Sequence, residues 1–111
     1  MARSNYLGEF ELLVMLAVIR IGEDAYGVPI SLEIERQTAR SVTFATVYST
    51  LERLQAKGFV HSKLGDATAE RGGRAKRYFR VTAARLRTVR EAKRGLVGLW
   101  NGVPELEGGM A

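Results

Sequence analysis

The sequence predicts a mainly α-helical chain with a small β-wing, an α+β arrangement, and three features of its 111 residues predict it. Apolar residues recur at helical spacing in four segments. Two short runs, Phe59–Leu64 and Arg77–Val81, have strand character and flank a glycine-rich loop. Positive charge collects in the second half, where ten of the 17 Lys and Arg lie between Arg71 and Arg94 with Glu91 as the only acid.

The first helix is expected over Leu7–Ile21. It is apolar almost all the way round, with Leu7, Phe10, Leu12, Leu13, Val14, Met15, Leu16, Ala17 and Val18, so part of it is expected to meet a partner subunit. Gly22 is a suitable stop. The second helix, Tyr26–Thr38, stacks Tyr26, Ile30 and Ile34 at four-residue steps, and Pro29 falls in its first turn, where a missing amide proton costs least. After Arg40, Ser41 and Val42, Thr43 is a natural N-cap for the third helix.

The third helix is expected to place Phe44, Val47, Leu51 and Leu54 on one stripe and Thr46, Ser49, Thr50, Arg53 and Lys57 on the other side. Short side chains at Ala45, Thr46 and Ser49 would let backbone and hydroxyls approach a groove floor, while Arg53 and Lys57 would reach phosphates. Lys57 and Gly58 mark its end. The loop between the strands then delivers Arg71, Arg74 and Lys76, and Arg77 opens the second strand; such cations suit a minor groove or its flanking phosphates. From Thr82 onward, Leu86, Val89, Ala92, Leu96 and Trp100 form an apolar seam fit for pairing with another subunit, although Gly95 and Gly98 each weaken that helix by about 1 kcal/mol relative to Ala.

Composition limits the function classes. Hydrophobic residues at 46% and charged residues at 26% describe an ordinary folded domain, and a net charge of +5 attracts polyanions. There is no cysteine, which removes disulfides and thiolate chemistry and fits a reducing cytoplasmic address. The longest near-continuous apolar run, Leu12 to Ile19, is too short for a membrane span. His61 is the single histidine, with no metal-ligand spacing around it, and the hydroxyls of Ser41, Thr43 and Ser49 have no partner base in the sequence. Neither a cofactor, a metal nor an enzymatic activity is expected. Double-stranded DNA is the favoured partner; the competing reading is a winged-helix module for a protein or RNA, since Arg71, Gly72, Gly73 and Arg74 resemble a piece of an RNA-binding arginine-glycine segment.

The chain resembles the PadR-like family of winged helix-turn-helix transcriptional regulators. The matching pieces are Leu7 to Leu12, then Ala25, Tyr26, Gly27 and Ile30, then Thr46 to Leu54, then Lys57 to Val60, and finally Gly72 to Thr82. The resemblance implies a winged helix-turn-helix over residues 1–81 and a C-terminal dimerisation helix with a short tail over 82–111, within one compact unit. It further implies a homodimer on a pseudopalindromic operator, usually a repressor, released in some members by small molecules, and it gives Tyr48 a role in holding the DNA backbone. Leu7, Phe10, Val14, Leu86, Val89, Leu96 and Trp100 are the expected dimer contacts. Some relatives insert flat hydrophobic effectors beside an interface aromatic; here Leu96 stands at about that place and Trp100 one turn later. Two departures stand out: Arg85 occupies a position often held by glycine, and the C-terminal helix is short.

Overall fold

The computed structural model describes residues 7–65 and 75–106. In chain order it forms α1 (Glu9–Ile21), a 3-10 turn (Gly22–Asp24), α2 (Gly27–Thr38), α3 (Phe44–Ala56), β1 (Val60–Leu64), β2 (Arg77–Val81) and α4 (Ala83–Trp100). Each expected helix and strand is present, with ends moved by a residue or two where caps and turns take over.

Local chemistry explains those ends. Gly22, at φ 85°, stops α1, and its amide bonds the Val18 carbonyl. In α2, Pro29 occupies the first turn, where no intrahelical amide bond is lost. Ala39 ends α2 in the left-handed region at φ 57°, and the Val42 amide then donates to the Glu35 carboxylate at 2.8 Å, fixing the turn into α3. Thr43 caps α3 as expected, its hydroxyl accepting the Thr46 amide at 3.1 Å. At the other end of α3, the Phe59 amide bonds the Leu54 carbonyl at 2.9 Å and the Gly58 amide bonds the Gln55 carbonyl at 3.0 Å. This Schellman closure needs Gly58 at φ 82° and turns the chain directly into β1.

β1 and β2 pair antiparallel from Val60 opposite Val81 to Leu64 opposite Arg77. The Phe79 amide also reaches the Ala25 carbonyl at 2.8 Å, so the sheet is tied to the segment that opens α2. Thr82 closes the circuit: its amide bonds the Phe59 carbonyl at 3.0 Å, and α4 begins at the next residue. The core lies where these elements meet. Val14, Met15 and Val18 from α1, Ile30 and Ile34 from α2, and Val47, Leu51 and Leu54 from α3 pack with Phe59, Val60, Phe79 and Val89. Burying each large apolar side chain contributes about 1.5–3 kcal/mol.

Phe44 departs from the expected core stripe. It is 51% exposed at the first turn of α3, where its ring lies against Gly27 and stacks on Tyr48 at 5.4 Å. A β-carbon built on Gly27 would lie 2.1 Å from that ring, so glycine is what permits the approach.

Two buried acids organise the packing of the helices. Glu11 accepts the Gly8 amide at 3.0 Å, thereby capping its own helix, and reaches α3, where Lys57 Nζ lies 2.9 Å and Arg53 Nε 3.2 Å from its oxygens. Burial opposes its charged form, but the Gly8 amide, Lys57 and Arg53 outweigh that and hold the carboxyl below its usual range. Glu33 of α2 is also held low, by hydrogen bonds from Gln37 and Arg36, and it receives Arg20 of α1 at 2.6 Å.

Gly27→Ala is expected to destabilise the protein by about 1–3 kcal/mol in urea unfolding, the range of overpacking, and adding Phe44→Ala is expected to recover most of the loss. Glu11→Gln is expected to be less stable than the parent at neutral pH. A carboxyl whose folded pKa lies below its unfolded value near 4.3 stabilises fully above that value and loses the effect as pH falls through the folded one. The gap between variant and parent should therefore close on acidification, and a gap constant from pH 7 to the acid range would contradict the assignment.

Candidate nucleic-acid interface

The core packing of α3 decides which of its residues face outward. Val47, Leu51 and Leu54 are buried, and at about 100° per residue the opposite side is centred on Ala45, Ser49, Glu52 and Ala56, all exposed. Thr46 and Arg53 flank this arc on one side, and Tyr48 and Gln55 on the other. Small and hydroxyl-bearing residues thus occupy the N-terminal half of the exposed surface, leaving room for close approach by a groove edge.

The structure turns the expected polar stripe by part of a helical step. Thr50, expected to contact DNA, is only 1% exposed, and its hydroxyl donates to the Thr46 carbonyl at 2.8 Å, so it belongs to the packed side. Lys57 and Arg53, expected on phosphates, lean onto the Glu11 carboxylate in the chain by itself; Lys57 is half-buried there, while Arg53 keeps much of its side chain in solvent. A buried acid on another helix, 42 residues from Arg53 and 46 from Lys57, attracts both cations. Periodicity within α3 carries no trace of it.

Ala45, Thr46 and Ser49 are exposed as expected. Thr43 and Thr46 share a hydroxyl contact of 2.8 Å, and Ser49 donates back to the Thr46 carbonyl at 3.2 Å, which preorganises the first turn. Tyr48 is half-buried in an aromatic chain: it stacks on Phe44 and meets Phe79 of β2 edge-on at 6.0 Å. The position of the sheet is thereby coupled to α3.

Arg77 makes the second connection. Its guanidinium donates to Ser62 at 3.1 Å across the sheet and to Glu52 and Gln55 of α3 at 3.4 Å each. Glu52 and Gln55 were not singled out in the sequence, yet they join the outward face of α3 to the base of the wing. Their spacing of three residues on an exposed side was the available signal. Lys76 donates to the Tyr26 hydroxyl at 2.9 Å and lies over its ring, and Tyr26 meets Tyr78 edge-on at 5.6 Å. Arg71 and Arg74 lie outside the described residues. His61 is exposed on β1, and no group of metal-binding side chains occurs among the described residues.

The expected dimer contacts divide into two sets. Val14 is fully buried and Val89 nearly so, both within their own chain's core, because α4 packs its first turns on α1; neither is available to a partner. Leu7 and Phe10 are half-buried against the same core. By contrast Leu86, Leu96 and Trp100 are exposed, Leu96 to 59% and Trp100 to 54%, and Leu99 beside them to 79%. On α1 the exposed apolar side chains are Leu16 and Ile19, not the expected Val14. Arg85, where a glycine was the alternative, lies with its guanidinium 4.6 Å over the Phe59 ring and braces the start of α4. No described helix is long and apolar enough to cross a membrane.

Comparison with known proteins agrees with this architecture. The chain is similar over 88% of its length to a PadR family transcriptional regulator from Eggerthella lenta, at 26% identity, 85% coverage of that chain and a TM-score of 0.67. A transcriptional regulator from Clostridium thermocellum matches 87% of this chain and 91% of its own at 20% identity with a TM-score of 0.69. The fold also matches 24% of the Aeropyrum pernix ORC1 protein, solved in complex with DNA, over 80% of this chain at 24% identity and a TM-score of 0.64. No curated protein matched. The model of the transcriptional regulator PadR-like family matches residues 15–90, well over half of the chain. With its helix-turn-helix, two-stranded wing and projecting last helix, the chain belongs to the PadR-like family of DNA-binding transcriptional regulators.

Proposed function

We propose that the protein is a cytoplasmic, homodimeric repressor that binds a pseudopalindromic operator in double-stranded DNA. One α3 from each subunit enters successive major grooves, and the two wings lie on the flanks. The observation that carries this reading is the outward arc of α3, where Ala45, Thr46 and Ser49 stand exposed beside a wing tied to the same helix through Arg77. Thr46 and Ser49 offer hydroxyls to base edges. Glu52, on the same arc, has the acceptor character that suits a cytosine amino group. Thr43, Tyr48, Lys76 and Arg77, with Arg71 and Arg74 of the loop, form the backbone-contacting set.

Pairing of two copies is supported by the apolar surface that one chain leaves in water. Leu86, Leu96, Leu99 and Trp100 of α4 are exposed, and α1 and α2 enclose an open apolar groove of about 470 Å³ lined by Leu13, Leu16, Ile19 and Ile34. A seam on a helix and an apolar groove within the same chain are complementary surfaces for a two-fold pair. A small hydrophobic effector would enter beside Leu96 and Trp100, where such a pair meets.

A salt titration with duplex and single-stranded probes tests the reading. A repressor keeps a sequence-dependent preference for duplex as salt weakens the nonspecific attraction, whereas preference for single strands or for a protein would favour an interaction module. Replacing Thr46 or Ser49 with Ala is expected to change which genomic fragments are selected, with effects of about 1–3 kcal/mol at the positions they read. Lys76→Gln is expected to weaken binding to all sequences alike. Equal loss on every sequence for both kinds of variant would refute the division of roles.

A further inference from the structure

Arg53 of α3 and Lys57, the residue that follows its last turn, end on one carboxylate, and it comes from another helix. Glu11 is buried, and its two oxygens receive Lys57 Nζ at 2.9 and 3.0 Å and Arg53 Nε at 3.2 Å. Arg53 also has a terminal nitrogen 3.4 Å from the Thr50 hydroxyl, which draws it further toward the packed side. A third donor, the Gly8 amide, fixes the carboxylate at 3.0 Å, so Glu11 cannot swing out with the cations without uncapping α1. Arg53 lies on the border of the outward arc next to Thr46, and Lys57 one step further round. Without the Glu11 carboxylate, both would lose the negative charge that holds them away from the groove-facing surface.

We infer that Glu11 is a specificity-determining residue of the DNA site: by holding Arg53 and Lys57 it withholds their charge from phosphate and keeps nonspecific affinity low relative to the sequence-dependent contacts of α3. The inference rests on the DNA-binding reading above. The physical reason is that attraction to phosphate adds equally on every sequence, whereas hydroxyl contacts to base edges do not. A regulator gains discrimination by limiting the first kind, since the genome presents far more nonspecific sites than operators. Glu11 acts here as a positioning residue, through Arg53 and Lys57, and touches no DNA itself.

The full-length protein and its Glu11→Gln variant are titrated with a random-sequence duplex and with a genomic duplex selected by the parent, each across a range of salt. Glutamine preserves an acceptor for the Gly8 amide while removing the charge. The variant is expected to bind the random duplex more tightly, with a salt slope steeper by about 0.9 for each cation released, so that its affinity falls about 3- to 12-fold more than the parent's between about 50 and 200 mM salt. Its preference for the selected duplex is expected to shrink. A slope equal to or shallower than the parent's, in a variant shown folded by circular dichroism, would overturn the inference.

A second variant keeps the test open if Glu11→Gln fails to fold. Lys57→Gln in the otherwise unchanged protein is expected to leave the salt slope where it was, because that ammonium is committed to Glu11; a slope shallower by about 0.9 would show it on a phosphate and refute the inference. If the parent itself shows no preference for duplex, the DNA reading fails and this inference with it. If the parent binds duplex and the variants do not behave as stated, only the role of Glu11 is lost.

Discussion

The burial of one face of α3 is the constraint on which the remaining structure depends. Val47, Leu51 and Leu54 are fully enclosed by side chains of α1 and α2 and by Phe59 and Phe79. Because the interior is close-packed, the helix cannot rotate by even a fraction of a turn without opening cavities or forcing overlap. Its outward arc is therefore as rigid as the core. In the proposed complex with DNA, a surface that matches the spacing of base edges would draw its rigidity from these apolar side chains.

Polar interactions refine the same arrangement. Glu11 joins the start of α1 to the end of α3, and Glu33 joins α2 to Arg20 of α1. Each acid is buried, and each is satisfied by several donors, the condition under which a buried charge is tolerated. The wing is fastened by a different chemistry. An aromatic chain runs from Phe44 through Tyr48 to Phe79, and the amide of Phe79 bonds the Ala25 carbonyl. Movement of the sheet would be felt at the N-terminal end of α3, where the exposed hydroxyls lie.

α4 follows another logic. Its first half contributes Val89 to the core and is braced by Arg85 over Phe59, while its second half carries Leu96, Leu99 and Trp100 into solvent. The molecule extends 55 Å along its longest axis and only 20 Å along its shortest. A helix that leaves its own domain with an apolar seam is stable in water when something covers that seam, and the groove between α1 and α2 has matching character. α1 carries both Leu16 and Ile19 on its outer side and Glu11 against α3, so the proposed pairing surface and the contacts behind the proposed DNA site lie on one helix.

The sequence by itself determined the elements. Thr43 as a cap, Gly58 as a left-handed stop, Pro29 in a first turn and the apolar periods of the four helices are local signals, because capping and helical spacing act within a few residues. Tertiary structure alone decided how α3 is turned, and with it the fate of the candidate site. Thr50 is withdrawn, Arg53 and Lys57 are drawn to an acid more than 40 residues away, and Glu52 and Gln55 come forward to meet Arg77. Val14 and Val89 likewise went to the core of their own chain, and Leu16 and Ile19 took the exposed places. The reason is common to all of these. A helix that is apolar or polar on several sides has more than one way to face inward, and the choice is made by the shape and charge of neighbours that are distant in the chain.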